Sequence, residues 1–180
     1  MRTRQTNMEI SGITLVLGGQ RSGKSAYGES LFAPGRSALY LATAEAGDDE
    51  MTARIAAHRA RRGGCWTTLE EPLDIAAVLR NLTPERGAAP VLIDCLTVWL
   101  ANVMAAGRDP EVEGRALCAA LQNAARPVVL VSGEVGLGIV AENALARRFA
   151  DALGELNQAV AAVADRVVLV AAGLPLVLKS

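Results

Sequence analysis

The chain has 180 residues, enough for one domain with a substantial core. Hydrophobic residues make up 51% of it and aromatics only 3%, so Ala, Leu, Val and Ile must build that core. A net charge of −1 excludes the broad basic field that nucleic-acid binding uses, and no apolar run is long and unbroken enough for a membrane span.

The three cysteines, Cys65, Cys95 and Cys118, are far apart and form no C-x-x-C pair. That pattern argues against a disulfide framework or a zinc site, and predicts buried thiols in a reducing cytoplasm.

Residues 1–11 are polar, carry two arginines and lack the apolar core of a signal peptide. They read as a disordered extension ahead of a single domain spanning 12–180. Ile13–Leu17 is apolar and β-prone, and predicts a strand. It leads into Gly18-Gly19-Gln20-Arg21-Ser22-Gly23-Lys24-Ser25, which fits G-x-x-x-x-G-K-[ST], and a helix over Lys24–Phe32 follows. This strand–loop–helix is the context a phosphate-binding P-loop requires. Backbone amides at the helix N-terminus would cradle phosphate oxygens, Lys24 would reach the terminal phosphates, and the Ser25 hydroxyl would ligate Mg²⁺. The chain uses 16 arginines and only two lysines, Lys24 and Lys179. Lysine stands where a compact point charge is needed.

A second strand is expected over Ala38–Ala42, with Ala42-Thr43-Ala44 at its end, close enough to touch a ligand. Asp49–Arg61 predicts a helix with an acidic start and a basic end. On it Arg54, His58, Arg61 and Arg62 fall along one stripe. His58 is the only histidine of the chain. A neutral imidazole can attack phosphorus, nearby guanidiniums favour the neutral form, and they would offset triphosphate charge. The same stripe also fits a solvated basic face with an incidental histidine. Glu70-Glu71 could bind a ribose hydroxyl or form a surface pair.

A helix over Leu73–Leu82 precedes a strand over Pro90–Ile93 that ends in Asp94. An acid there holds Mg²⁺ in P-loop proteins, or caps the next helix. Helices over Leu96–Ala106 and Glu111–Ala124 follow, then a strand over Val128–Val131. Ser132–Val140 carries three glycines between a strand and a long helix, Ala141–Ala164. It suits a loop facing substrate or another subunit, or a plain turn. The last strand is expected over Arg166–Val170, and Val167–Leu178 reads as buried strands. Alternating apolar strands and helices predict an α/β fold, a mostly parallel sheet with helices on both faces and the ligand at the strands' carboxyl ends. No Asn-Lys-x-Asp base-reading motif is possible, because both lysines stand elsewhere.

Taken in order, these motifs resemble the bifunctional adenosylcobinamide kinase/adenosylcobinamide-phosphate guanylyltransferase family. The likeness lies in the Gly-Gly-x-Arg-Ser-Gly-Lys-Ser loop and in Asp48–Met51 with Arg54-Ile55 and His58-Arg59. It continues through Glu134–Val140 with Glu142-Asn143, then Arg147, Phe149, Asp151, Gly154 and Asn157, and covers nearly everything after Ser11. The resemblance implies a RecA-like P-loop NTPase fold and a homotrimer. It implies phosphorylation of adenosylcobinamide with ATP or GTP, followed by transfer of GMP from GTP through a GMP-histidine. The histidine it implies is His58, acting with Lys24. The nucleotide contacts it implies are Gly18 to Ser25, Ala42 to Ala44, Arg59, Ala60, Arg61, Arg62, Glu70 and Asp94, with Mg²⁺ held by Ser25 and Asp94. The sequence departs from some members at Ala57, where they carry a second histidine, and at Asp94, where they carry glutamate. Two other readings stay open: a P-loop small-molecule kinase without guanylyl transfer, and a non-catalytic nucleotide-binding subunit.

Overall fold

A computed structural model describes residues 10–44, 64–82 and 89–180. The predicted helix over 49–61, with His58, Arg59, Ala60, Arg61 and Arg62, lies outside the described residues, as does most of the N-terminal extension.

Seven strands of the described residues form one sheet. They are β1 (Ile13–Gly18), β2 (Ala38–Ala42), β3 (Trp66–Glu70), β4 (Val91–Asp94), β5 (Val128–Gly133), β6 (Arg166–Ala171) and β7 (Leu174–Lys179). The spatial order is β3-β2-β4-β5-β1-β6-β7, every neighbouring pair being parallel except β6–β7. The described helices are α1 (Lys24–Ser30), α2 (Ile75–Asn81), α3 (Leu96–Ala105), α4 (Pro110–Gln122) and α5 (Ala144–Val163).

Successive strand residues point to opposite faces, and the two faces carry two separate apolar clusters. Leu15, Val91, Ile93, Val128 and Leu130 point one way, into a cluster with Ile75, Trp99, Leu117, Leu153 and Val160 from α2–α5. Val16, Leu92, Val129 and Val131 point the other way and pack with Tyr27, Leu31 and Phe32, on or just after α1. Both faces are therefore covered, and the inner strands must be apolar throughout. Helix α1 lies close against the sheet: a methyl group on Gly28 would stand 3.1 Å from Val131 Cγ2. Ile10, on the extension side of the expected boundary, packs against this second cluster.

Helix starts follow local capping chemistry. Asp109 accepts from the amides of Glu111 and Val112, with Pro110 in the first turn, so α4 begins one residue before its predicted start. Asn143 accepts from Ala146 N, which sets the start of α5 three residues after the expected Ala141.

Three expectations are corrected. Strand β3 was not foreseen: it is an edge strand whose residues are mostly exposed, so no apolar pattern marks it. Val167–Leu178 does supply strands, but all six residues of β7 are exposed, because it closes the sheet's edge. The cysteines are not uniformly buried: Cys65 is exposed just before β3, at the opposite edge of the sheet, and Cys95 and Cys118 are intermediate. No helix among the described residues is long and apolar enough to cross a membrane.

Candidate nucleotide site at the carboxyl edge of the sheet

Residues 18–25 leave the end of β1 and turn into α1, as the motif requires. Gly23 occupies the helix N-cap with φ +95°, a left-handed conformation open to glycine at little cost. The loop closes on itself through Ser22 N to Gly19 O at 3.2 Å, and Tyr27 N reaches Gly23 O at 2.9 Å. Lys24 Nζ donates to Gly19 O at 3.2 Å, folding its side chain back over the loop. Arg21 holds a positive φ of 56°, the one non-glycine in the loop to do so.

The first turn of α1 meets the end of β4. Ser25 Oγ donates to Asp94 Oδ1 at 3.3 Å, and Tyr40 OH donates to Asp94 Oδ2 at 2.8 Å. Asp94 therefore faces the P-loop. It is not the cap of α3, whose N-cap is Cys95 without a side-chain bond. A hydroxyl and a carboxylate side by side form a hard-oxygen pair of the kind a magnesium ion takes, so the residues fit one. No cluster of three or more His, Cys, Asp or Glu ligands occurs among the described residues.

The sheet register gathers other candidates into one row. Ala42 pairs with Glu70 on β3 and with Asp94 on β4. Glu70 thus stands exposed at the same edge, two strands from Asp94. Glu71 turns away: its Oε1 accepts from Leu73 N and Asp74 N, tying down the approach to α2.

Thr43 acts as a clip. It is fully buried; its hydroxyl donates to Cys95 O at 2.8 Å and accepts from Cys95 N at 2.9 Å. Asn102 Nδ2 donates to its carbonyl. Among Ala42, Thr43 and Ala44, the flanking alanines keep some exposure and Thr43 fixes the ends of β2 and β4. The adjacent Cys95 thiol is pushed up to about 11, first by burial and then by the charge of Asp94.

Three features escaped the sequence reading. One is Tyr40, whose ring lies in the α1-side cluster and whose hydroxyl orients Asp94. Another is the β6–β7 turn: Gly173 N donates to Ser22 O at 2.8 Å, and a methyl on Gly23 would stand 3.3 Å from Gly173 Cα. The third is the fastening of the β5 end, which carries on into the glycine loop. Ser132 Oγ donates to Asn157 Oδ1, Asn157 Nδ2 to Gly133 O, and Gly133 N to Thr97 Oγ1. Ser132 and Gly133 belong to the strand, so the loop proper starts at Glu134. Beyond it, Val135, Gly136, residues 138–141, the end of α3 and the start of α5 border an apolar groove of about 970 Å³, with Met104, Val135, Ile139, Leu145 and Phe149 in its walls.

Comparison with known proteins agrees with this geometry. In solved structures, a type III secretion system ATPase of pathogenic bacteria superposes with a TM-score of 0.56 at 11% identity, covering 89% of this chain and 51% of that one. That likeness shows the P-loop NTPase fold. The chain is 48% identical over 168 residues to the bifunctional adenosylcobalamin biosynthesis protein CobP of Pseudomonas aeruginosa, covering 92% of this chain and 96% of that protein. It is 40% identical over 182 residues to the bifunctional adenosylcobalamin biosynthesis protein CobU of Salmonella typhimurium, covering 92% and 98%. A family model described as cobinamide kinase / cobinamide phosphate guanyltransferase matches residues 14–178, the P-loop through to β7. With a phosphate loop facing an acid-tipped strand, and relatives matched over nearly their whole length, this chain belongs to that family of transferases.

Proposed function

We propose that this chain phosphorylates adenosylcobinamide with ATP or GTP and then transfers GMP from GTP to the product, giving adenosylcobinamide-GDP and pyrophosphate. The observation that carries the reading is the P-loop facing Asp94, inside a chain matched by the family model over residues 14–178.

The triphosphate lies along Gly18–Ser25, its charge offset by the loop amides and Lys24. Ser25 and Asp94 hold Mg²⁺, which supplies charge neutralisation on the phosphate oxygens when bound. Ala42, Ala44 and Glu70 line the nucleoside side of the same edge. His58 is the nucleophile of the second reaction, and Arg59, Ala60, Arg61 and Arg62 accompany the nucleotide there. Its imidazole nitrogen forms a bond to the α-phosphorus of GTP as the bond to pyrophosphate breaks. The phosphate oxygen of adenosylcobinamide phosphate then displaces the imidazole. Splitting the transfer keeps two polyanions from having to react directly. The exposed Leu174, Leu176 and Leu178 of β7 support a homotrimer, and the substrates suit the cytoplasm.

Labelling with α-phosphate-labelled GTP tests the reading. The expected result is an acid-labile, base-stable adduct on the wild type that is absent from His58→Ala. Label retained in that variant would put the GMP on another side chain and remove His58 as nucleophile; none in the wild type would leave only the kinase or binding readings.

A further inference from the structure

We propose that Glu134 is the general base of the kinase half-reaction, taking the proton from the acceptor hydroxyl at the junction between the phosphate loop and the apolar groove. The proposal rests on the kinase reading above and names a residue it does not use.

The position follows from strand order. Strand β5 lies between β1, which delivers the P-loop, and β4, which delivers Asp94. Glu134 is the first residue beyond β5, and its amide donates to Gly18 O at 3.0 Å, where the P-loop begins. The next two residues, Val135 and Gly136, border the groove of about 970 Å³. Glu134 thus joins the nucleotide cradle to a space of a size and apolarity suited to a macrocyclic acceptor.

Its support is rigid. Both backbone polar groups of Gly133 are bonded to side chains, at 2.6 Å by Thr97 and 3.0 Å by Asn157, and Ser132 fixes Asn157 from the buried side. Glu134 Oε1 accepts from Gly136 N at 2.6 Å, which orients the carboxylate. A base must be held so, because proton transfer depends on geometry before it depends on pKa.

Among the described residues, the other carboxylates at this edge are placed differently. Asp94 is joined to Ser25 and Tyr40, Glu71 caps two amides before α2, and Glu70 stands on the outermost strand, four strands from β1.

The chemistry is asymmetric. In the kinase step the hydroxyl O–H bond breaks to the Glu134 carboxylate while oxygen bonds to the γ-phosphorus. The bond from phosphorus to the bridging oxygen breaks, and the nucleoside diphosphate leaves. In the guanylyl step the acceptor is a phosphate oxygen, already anionic, and needs no base.

The experiment compares wild type, Glu134→Gln and Glu134→Asp. Gln keeps an acceptor for Gly136 N and removes only the basicity. Kinase kcat on adenosylcobinamide should fall by about 10²- to 10⁴-fold in Glu134→Gln, the range general-base catalysis supplies. Nucleotide Kd, and guanylyl transfer to adenosylcobinamide phosphate supplied directly, should move less than about threefold. Glu134→Asp should recover part of the kinase rate. Kinase activity within about threefold of wild type in Glu134→Gln would overturn the proposal. So would a parallel fall of both reactions with nucleotide affinity, which would make the residue structural. Failure of the wild type itself to phosphorylate adenosylcobinamide would instead remove the kinase reading beneath it.

Discussion

Gly173 N donates to Ser22 O at 2.8 Å, joining the last hairpin of the chain to the middle of its phosphate loop. The turn is tight: Ala172 and Gly173 both hold positive φ, 51° and 76°. A second contact reinforces it, with Gly23 and Gly173 backbones so close that a methyl on Gly23 would stand 3.3 Å from Gly173 Cα. The P-loop is therefore braced from the β6 side as well as by its own internal bonds.

A β-branched residue at Gly173 should disturb the nucleotide site from the far end of the sequence. Gly173→Val forces a left-handed conformation costing about 1–3 kcal/mol. The strain is relieved by moving the turn, which gives up the bond to Ser22. We expect nucleotide affinity to drop by about tenfold, roughly 1.4 kcal/mol. Isothermal titration with ATP and GTP measures this. Ala172→Gly, which removes a side chain from positive φ, should bind nucleotide as wild type does. Equal affinity in Gly173→Val and wild type would show that the brace is incidental.

Tyr40 offers a gentler test of the Ser25–Asp94 pair. Its hydroxyl donates to Asp94 Oδ2 at 2.8 Å, while its ring meets Trp66 edge-on at 6.1 Å between centroids. Tyr40→Phe keeps the ring and removes the donor. A hydrogen bond to a charged group contributes about 1.5–3 kcal/mol. Most of that should appear in the orientation of Asp94, so the Mg²⁺ dependence of nucleotide binding should shift to higher concentration by several-fold. Thermal unfolding should move only slightly, because the aromatic packing remains. A large fall in melting temperature with no change in Mg²⁺ dependence would assign Tyr40 to the core alone.

The parts of this fold legible in the sequence are those fixed by neighbours along the chain. The P-loop was readable because glycines, lysine and serine must follow a strand and start a helix. Asp94 was readable as an acid at the ligand edge because it ends an apolar strand, and it meets Ser25 of the P-loop there. Leu15, Ile93 and Leu130 were readable as core because runs without polar residues must be covered on both sides. Strand β3 was hidden because Trp66-Thr67-Thr68-Leu69-Glu70 is an edge, recruited by pairing with β2 and not by its own pattern. The exposure of β7 was hidden because apolar composition does not distinguish a central strand from an edge. Gly173 against Ser22, Tyr40 on Asp94 and Thr43 on Cys95 all join distant segments, so no local pattern announces them. Thr43 shows the consequence: its place at a strand end suggested ligand contact, yet its hydroxyl is spent on the Cys95 backbone.

The three cysteines should separate cleanly in reactivity. The attacking species in alkylation is the thiolate, so rate follows both exposure and ionisation. Cys65 is exposed. Burial alone pushes the Cys118 thiol upward, and burial plus the Asp94 charge pushes Cys95 to about 11. A raised thiol pKa keeps the neutral form at physiological pH and delays ionisation until well above the ordinary value of 9.0. With iodoacetamide near pH 8, Cys65 should label first, Cys118 more slowly and Cys95 last. Mass spectrometry of timed, quenched samples of the native protein gives the order directly. Raising the pH toward 10 should speed the labelling of Cys118, while Cys95, pushed up to about 11, should still lag. Early labelling of Cys95 in folded protein would mean that the clip of Thr43 and Asn102 opens readily, and that the ends of β2 and β4 are not the fixed platform on which Asp94 is held.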